Sequence, residues 1–199
     1  MSTAWRIRDQ QMPYFITTTV VDWVDIFSRK SYRDIFIQSL DYCITHKKLI
    51  LYGFVVMSNH AHLIVQSEKG DLSGIIRDLK KYTSNRILET MLNEPESRRE
   101  WILHRFSKPA RNKNSHNFQV WNHQNHAVEI FSEKFLWTKL DYIHLNPVRA
   151  GIVEKASEYL YSSASNYVTG KGILSSVHVV DMPVVDVTKP GSFFKYNSY

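Results

Sequence analysis

The chain has 199 residues, of which 43% are hydrophobic and 22% are charged, so its composition excludes a fibrous chain and one disordered throughout. A net charge of +6 and a pI of about 9.3 favour a polyanionic partner such as nucleic acid, with a solvated basic face as the alternative. The single cysteine, Cys43, excludes an intramolecular disulfide and a cysteine-rich zinc site.

The predicted elements alternate between strands and helices, after an N-terminal segment that lacks the apolar run of a signal peptide. Runs of β-branched and aromatic residues predict strands, and an apolar spacing of three to four residues predicts helices. In chain order we predict a strand over 14–21, a helix over 31–46, a hairpin of strands over 49–57 and 60–66, a helix over 71–92, a short strand within 118–128 and a helix over 132–146 that Pro147 ends.

This order of elements predicts the fold class. Helices are not inserted regularly between parallel strands, so an α+β fold is favoured, specifically a ferredoxin-like sandwich with helices packed on one face of an antiparallel sheet. No stretch reaches the ~18 apolar residues of a membrane span. We therefore expect a soluble cytoplasmic protein that makes no membrane contact.

Positive charge is concentrated in the middle of the chain. Ten lysines or arginines and five acidic residues lie between Arg77 and Lys113, and no acidic residue occurs from His104 to Val128. We interpret residues 95–125 as an exposed basic loop inserted into one domain of residues 1–170. Residues 171–199 are interpreted as a C-terminal extension, for which the sequence suggests no role.

His60 and His62 are separated by one residue in a predicted strand. Residues i and i+2 of a strand point to the same face, so the two imidazoles project side by side while Leu63 and Val65 point into a core. Imidazole is the commonest metal ligand, and a pair on a rigid strand can form half of a metal site. Two surface histidines on a half-exposed strand are the alternative.

A second polar group lies in the segment Asp141–Gly151, DYIHLNPVRAG. If this segment is helical, Tyr142 and Asn146 lie one turn apart on the same face, and a phenol and a carboxamide oxygen are presented together. With two imidazoles, this hard oxygen ligand suits Mn²⁺ or Mg²⁺ better than a structural zinc ion. On these residues alone, a half-buried core tyrosine and a structural asparagine are the more common explanation.

Together the two segments resemble the HUH-class tyrosine transposases, especially the REP-associated, IS200-like group. Met57–Val65, MSNHAHLIV, is similar to the His-hydrophobic-His motif of that family, and DYIHLNPVRAG is similar to the end of its catalytic helix. The resemblance covers roughly residues 10–170 and also includes Tyr14–Val21, the KKYT segment around Tyr82 and the YSSA segment at 161–164. Residues 94–125 cannot be aligned with the family.

The resemblance implies a metal-dependent endonuclease and strand transferase that acts on single-stranded DNA. In this interpretation Tyr142 is the nucleophile that forms a 5′-phosphotyrosine, while His60, His62 and Asn146 hold Mg²⁺ or Mn²⁺. Tyr82 has no catalytic role in the family, although it lies among basic residues. His126 resembles a histidine that precedes the catalytic helix, and its contact with metal, DNA or core is left open.

The implied partner is single-stranded DNA, with a hairpin beside it. One chain has one such tyrosine, so cutting two ends requires a homodimer or two successive events. The basic residues expected to contact phosphates are Arg77, Lys80, Lys81, Arg105, Arg111 and Arg149. The aromatic residues that would either stack on unpaired bases or anchor the basic loop to the core are Trp101, Phe106, Phe118 and Trp121.

Two other functions compete with this one. A non-catalytic nucleic-acid-binding module on the same fold would bind without metal and would not depend on Tyr142. The joint presence of both motifs disfavours it. A metal hydrolase with a water nucleophile would cleave DNA without forming an adduct, but no carboxylate in the motifs is placed as an obvious base.

Overall fold

The computed structural model describes residues 6–110 and 118–181. Arg111, one of the predicted phosphate contacts, lies outside these ranges, as do residues 182–199 of the C-terminal extension. The described strands are β1 (Tyr14–Thr19), β2 (Leu49–Val56), β3 (His60–Ser67) and β4 (His126–Glu129). The described helices are α1 (Lys30–Lys47), α2 (Leu72–Asn93), α3 (Arg99–Ala110), α4 (Glu133–Arg149) and α5 (Ala164–Thr169), with 3-10 turns at Val21–Trp23, Ile26–Ser28 and Ala156–Glu158.

The four strands form one antiparallel sheet in the order β2-β3-β1-β4. With α1 between β1 and β2 and α2 between β3 and β4, this order gives the predicted ferredoxin-like α+β fold. The central strand β1 pairs with β3 on one side and β4 on the other, so Thr17 lies opposite both His62 and His126. Residues directly opposite each other share a face of the sheet.

The two faces of the sheet are covered by different helices. Helices α1 and α2 pack against each other, and α2 covers the face to which Ile16 and Leu63 point, where Ile76 and Ala127 line a common cleft. Helix α4 packs on the opposite face, where Leu140 and Ile143 are fully buried against β2. The predicted layer of helices on one face is present, and α4 adds a layer on the other.

Local signals account for the helix that carries the second motif. Ser132 is the N-cap of α4, and its hydroxyl accepts a hydrogen bond of 3.2 Å from the backbone N–H of Phe135. The sequence predicted that the helix would end before Pro147. In the structure it continues to Arg149. Pro147 has no N–H to donate to the carbonyl of Ile143, and backbone bonds from Ala150 to Asn146 and from Gly151 to Val148 close the last turn beyond it.

The prediction of an exposed basic loop over 95–125 is wrong for residues 99–110, because they form helix α3. Its apolar residues Ile102 and Phe106 are fully buried, and this burial stabilises a helix in a segment rich in charge. The start of the C-terminal extension also packs on the fold, since Leu174 and Val177 are buried. Among the described helices, none is long and apolar enough to cross a membrane.

Candidate active site

His60 and His62 lie on one face of β3, immediately after the turn that joins it to β2. Their ring centroids are 4.7 Å apart, and the ring planes are nearly perpendicular, at 73°. Ala61 and Leu63 point to the other face and are completely buried or nearly so. The alternation expected from the sequence is therefore present, and both imidazoles lie on the face that α4 covers.

Hydrogen bonds orient both imidazoles through their Nδ1 atoms. The Nδ1 of His60 is 2.7 Å from the Oδ1 of Asn59, an oxygen to which a protonated Nδ1 would donate a hydrogen bond. The Nδ1 of His62 is 2.8 Å from the hydroxyl of Thr17, directly opposite on β1. In both rings, Nε2 is then the nitrogen that could bind a metal ion.

Burial keeps both imidazoles neutral near pH 7. It lowers the pKa of His60, and it lowers the pKa of His62 to about 3, with a further lowering from the nearby charges of His60, Lys139 and His126. Neutral imidazole is the form that binds a metal ion. Neither ring would need to lose a proton before it coordinated a cation.

Tyr142 lies beside the histidine pair, although it is 80 residues further along the chain. Its ring centroid is 5.4 Å from that of His62 and 5.9 Å from that of Phe15, and the residue is 40% exposed. Phe15 stacks on His62 with a centroid distance of 5.3 Å. The two motifs of the sequence therefore meet at one partly open site on the sheet.

A close approach between α4 and β2 sets the position of Tyr142. A Cβ atom at Gly53 would lie 2.6 Å from the Cδ2 of Leu140 and 3.0 Å from the Cδ1 of Ile143, so the observed packing requires glycine. Leu140 and Ile143 are completely buried against this strand. The adjoining flank of the helix then carries Tyr142 next to β1 and β3.

Two cationic side chains lie against the Tyr142 ring. The Lys139 Nζ is 5.8 Å from its centroid and 4.7 Å from the centroid of Phe15. The Arg149 guanidinium carbon is 5.7 Å from the Tyr142 centroid. Arg149 is one of the predicted phosphate contacts. Lys139 is a site residue that the sequence patterns do not single out, although its spacing of three from Tyr142 in a helix could have indicated it.

Asn146 lies one helical turn after Tyr142 and carries an orphaned polar atom. Its side-chain Nδ2 is buried and has no hydrogen-bond partner within the described ranges. Such an atom is unfavourable unless a ligand pairs with the group, and a 180° rotation of the carboxamide would present Oδ1 in its place. Two neutral imidazoles and a carboxamide oxygen are a donor set that fits a divalent cation.

Histidines, cysteines and acidic residues alone form no metal site in the described part of the chain. There, no three side chains among His, Cys, Asp and Glu are grouped so that they could hold a metal ion. A three-ligand site at the histidine pair therefore depends on an amide ligand such as Asn146.

His126 lies on the same face of the sheet as the histidine pair. Thr17 separates it from His62 across the three strands β4, β1 and β3. The residue is exposed overall, but partial desolvation of its ring, and after it the charge of Lys139, lowers its pKa. The sequence left open whether His126 contacts metal, DNA or the core. Its position on the histidine face excludes a contact with the core between the sheet and α2.

His144, in the centre of the second motif, has a packing role. Its Nε2 is 2.7 Å from the Oγ of Ser163, and the same Oγ accepts a hydrogen bond of 2.9 Å from the backbone N–H of Phe54. These bonds tie α4 to β2 through the YSSA segment. Burial lowers the pKa of His144 to about 3, so the ring is neutral in this position.

The predicted phosphate contacts fall on two surfaces. On the histidine side, Arg149 lies beside Tyr142, and the Arg105 guanidinium is 3.6 Å from the carboxylate of Asp22. The other described members line a cleft of about 800 Å³ between α2 and the chain that enters β4, together with Arg6 and several carboxamides. Those members are Arg77, Lys80 and Lys81.

The aromatic residues of the predicted basic loop are mainly anchors. Phe106 and Trp121 are buried, and the indole N–H of Trp121 donates a hydrogen bond of 2.9 Å to the hydroxyl of Thr83. Phe118 is half-buried at the cleft, and Trp101 is exposed on α3. Tyr82, predicted to be non-catalytic, is exposed on α2.

Comparison with known proteins was made at the levels of sequence and fold. The model of the family described as "Transposase IS200 like" matches residues 11–112, which is just over half of the chain. The match includes β1 and the histidine pair and ends before Tyr142. No curated protein matches the chain.

Two solved structures are similar to this chain. A REP-associated tyrosine transposase bound to a REP hairpin is 19% identical, with a TM-score of 0.56 and coverage of 91% of this chain and 93% of that chain. A candidate transposase from Deinococcus radiodurans is 16% identical, with a TM-score of 0.44 and coverage of 72% of this chain and 95% of that chain. The first shows a shared fold. On the extent of its sequence match, the chain belongs to the IS200-like transposase family.

Proposed function

We propose that this transposase is a metal-dependent single-stranded DNA endonuclease and strand transferase, with Tyr142 as its nucleophile. The observation that carries the proposal is the contact between the rings of Tyr142 and His62, which joins an exposed phenol to a pair of neutral imidazoles. Either motif alone would have a common structural explanation. Their meeting on one open face of the sheet favours a shared chemical role.

The reaction proposed for Tyr142 is a transesterification. Its Oη forms a bond to the phosphorus of a DNA phosphodiester while the bond from phosphorus to the leaving O3′ breaks. The phenol loses its proton, and the departing O3′ gains one. The number of phosphoester bonds is unchanged, so the 5′-phosphotyrosine can later be attacked by another 3′-OH and the strand rejoined.

His60, His62 and Asn146 are the residues proposed to hold Mg²⁺ or Mn²⁺. A bound divalent cation would supply positive charge to a phosphate oxygen as negative charge develops there. Lys139 and Arg149, which lie against the Tyr142 ring, would contribute further positive charge and hold the phosphate near the phenol. Asn59 and Thr17 would keep both imidazoles in the orientation that presents Nε2.

The proposed substrate is single-stranded DNA next to a hairpin. The fold is shared with a transposase whose structure was solved with a REP hairpin, and the net charge of +6 favours a polyanion. Arg105 and Arg149 lie on the histidine side, where the cleaved strand would pass. Arg77, Lys80 and Lys81 offer a second basic surface for the paired or unpaired DNA beyond it. Strand transfer between two ends would need a homodimer or two successive events.

The test is adduct formation with labelled DNA taken from beside the gene. We would incubate the protein with this DNA in Mn²⁺ or in EDTA and separate the products on a denaturing protein gel. We expect a labelled adduct that requires the metal ion and disappears in Tyr142→Phe. Tyr82→Phe is the matched control, because it removes the hydroxyl of an exposed tyrosine on α2, and it should form as much adduct as the wild type.

Other outcomes would point to the competing functions. Cleavage without an adduct would replace Tyr142 by a water nucleophile. Binding of several hairpin substrates with neither cleavage nor adduct would indicate a DNA-binding relative without nuclease activity. Loss of the adduct in both tyrosine variants would remove the specific assignment to Tyr142.

A further inference from the structure

Trp23 is an exposed tryptophan at the edge of the candidate active site. The residue is 61% exposed, and its ring centroid is 6.0 Å from that of His60, with the planes at 72°. Single exposed apolar residues are common on protein surfaces and by themselves indicate nothing. Trp23 differs from such residues in its backbone conformation and in its place relative to Tyr142.

The backbone at Trp23 is held in an unfavourable conformation. Asp22 and Trp23 have φ angles of 52° and 55°, a left-handed region that non-glycine residues avoid. Two such residues in succession persist only where surrounding contacts enforce them, and such strain is often found at ligand sites.

Contacts on both sides fix this loop relative to the histidines. The backbone N–H of Val20 donates to the carbonyl of Asn59, and that of Val21 donates to the carbonyl of Val120, each at 2.9 Å. From α3, Arg105 forms an ion pair with Asp22 at 3.6 Å. These contacts fix the backbone at Asp22 and Trp23 relative to His60, and the Trp23 ring lies 6.0 Å from the His60 ring.

Trp23 and Tyr142 lie at opposite ends of the histidine pair. Along β1, Phe15 contacts Tyr142, Thr17 lies opposite His62 and Thr19 lies opposite His60, after which the chain reaches Trp23. A nucleophile attacks phosphorus on the side opposite to the leaving oxygen. With the phosphate at the histidines and Tyr142 on one side, the leaving nucleotide would extend towards Trp23.

We propose that the exposed indole of Trp23 is a stacking site for the nucleobase immediately 5′ of the cleaved phosphate. This base belongs to the nucleotide that leaves with the free 3′-OH. Stacking would align O3′ for departure and keep the released end beside the phosphotyrosine for rejoining. The inference rests on the proposed function, since the cleaved phosphate defines which base is meant.

The first test is fluorescence of 2-aminopurine, a base analogue that is quenched when it stacks. The 3′ end of the fragment released by the wild type first locates the cleaved phosphate. The analogue is then placed either 5′ or 3′ of it and bound with Mg²⁺ to Tyr142→Phe, which would leave the strand intact. We expect quenching at the 5′ position that is lost in Trp23→Ala/Tyr142→Phe, and no Trp23-dependent quenching at the 3′ position.

The second test is affinity for the same DNA, with the 5′ base present or removed. In the Tyr142→Phe background, Trp23→Ala should weaken binding about 5- to 150-fold, the range for removing one aromatic residue that stacks on a base, and Trp23→Phe should weaken it less. With an abasic 5′ site, the variants should bind equally. Tyr42→Ala, which removes an exposed aromatic residue from α1, should not change affinity.

Trp23→Gly separates stacking from folding, because glycine accepts the positive φ angle that tryptophan does not. It should lose affinity as Trp23→Ala does, with a thermal midpoint no lower than that of Trp23→Ala. Equal affinity of all Trp23 variants, or an effect tied to the 3′ base, would overturn this inference and leave the nuclease intact. Absence of any adduct in the wild type would overturn both.

Discussion

At the scale of single residues, the environment of Tyr142 differs from that of a surface tyrosine in its contact with His62 and in the two cations beside its ring. The ammonium of Lys139 contacts the rings of Phe15, Phe135 and Tyr142, and Arg149 approaches Tyr142 from about two turns further along α4. Such contacts between a cation and an aromatic face hold the ammonium beside the phenol rather than in bulk water. In the reaction proposed for Tyr142, Lys139 would therefore lie close to the phosphate.

Replacing Lys139 by methionine should slow adduct formation while the protein remains folded. The expected loss is about 100-fold, at the lower end of the range for removing one stabilising group from an active site, because Lys139 is partly solvated. Single-turnover adduct formation at saturating DNA measures it. Lys134→Met, at an exposed position of the same helix, should react at the wild-type rate. Equal rates for the two variants would remove Lys139 from the mechanism.

At the scale of elements, the site depends on how tightly α4 packs on β2. Gly53 permits the approach of Leu140 and Ile143, and the buried bonds among His144, Ser163 and Phe54 fasten the helix to the same strand. Leu140, Ile143 and His144 lie on the buried side of α4, away from the exposed phenol. A change here would reach Tyr142 through the position of the helix.

Gly53→Ala should therefore lower both stability and activity. The new methyl group would clash with Leu140, and overpacking of this kind costs roughly 1–3 kcal/mol. Urea unfolding measures the stability, and the yield of adduct from folded protein measures the displacement of Tyr142. Leu140→Ala, which removes the nearest clashing atom, should make the effect of Gly53→Ala smaller. Additive effects of the two substitutions would contradict this packing account.

At the scale of the whole molecule, the second basic surface lies across the sheet from the histidines. Lys80 lines its cleft and donates hydrogen bonds of 2.6 Å to the carbonyl of Asn122 and 2.9 Å to the Oδ1 of Asn125. Both acceptors are neutral, and no ion pair among the described residues involves Lys80. Burial accordingly lowers the pKa of this ammonium to about 8.

This lowered pKa makes stability depend on pH in a definite direction. Between about pH 8 and the ordinary lysine value near ~10.4, the unfolded chain binds more protons than the folded one, so stability contributed at this site rises with pH. Urea unfolding at about pH 7.5 and 9.5 measures this change. The free energy of unfolding of the wild type, relative to that of Lys80→Met, should be larger at the higher pH. Lys81→Met, at an exposed neighbouring position, is the matched control for loss of a lysine from this helix. A difference that falls with pH would contradict the burial of a charged ammonium.

Much of the fold follows from local patterns that the sequence displays directly. Alternation in β1 and β3, helical spacing in α1 and α2, and the N-cap at Ser132 are properties of neighbouring residues, so they can be interpreted without tertiary structure. Helix α3 was not predicted because its stability comes from the burial of Ile102 and Phe106. Most of the neighbouring residues in the sequence are charged or polar, so the local pattern does not indicate this burial.

In the candidate site, too, some relations follow from local sequence periods and others only from tertiary contacts. The sequence by itself determined that His60 and His62 share a face and that Asn146 follows Tyr142 by one turn, because strand and helix periods act over a few residues. Only the tertiary structure decided that the two motifs meet, that His126 shares their face, and that Lys139 and Trp23 lie beside them. These relations join residues far apart in the chain, and they depend on strand register and on helix packing at Gly53, which no local period specifies.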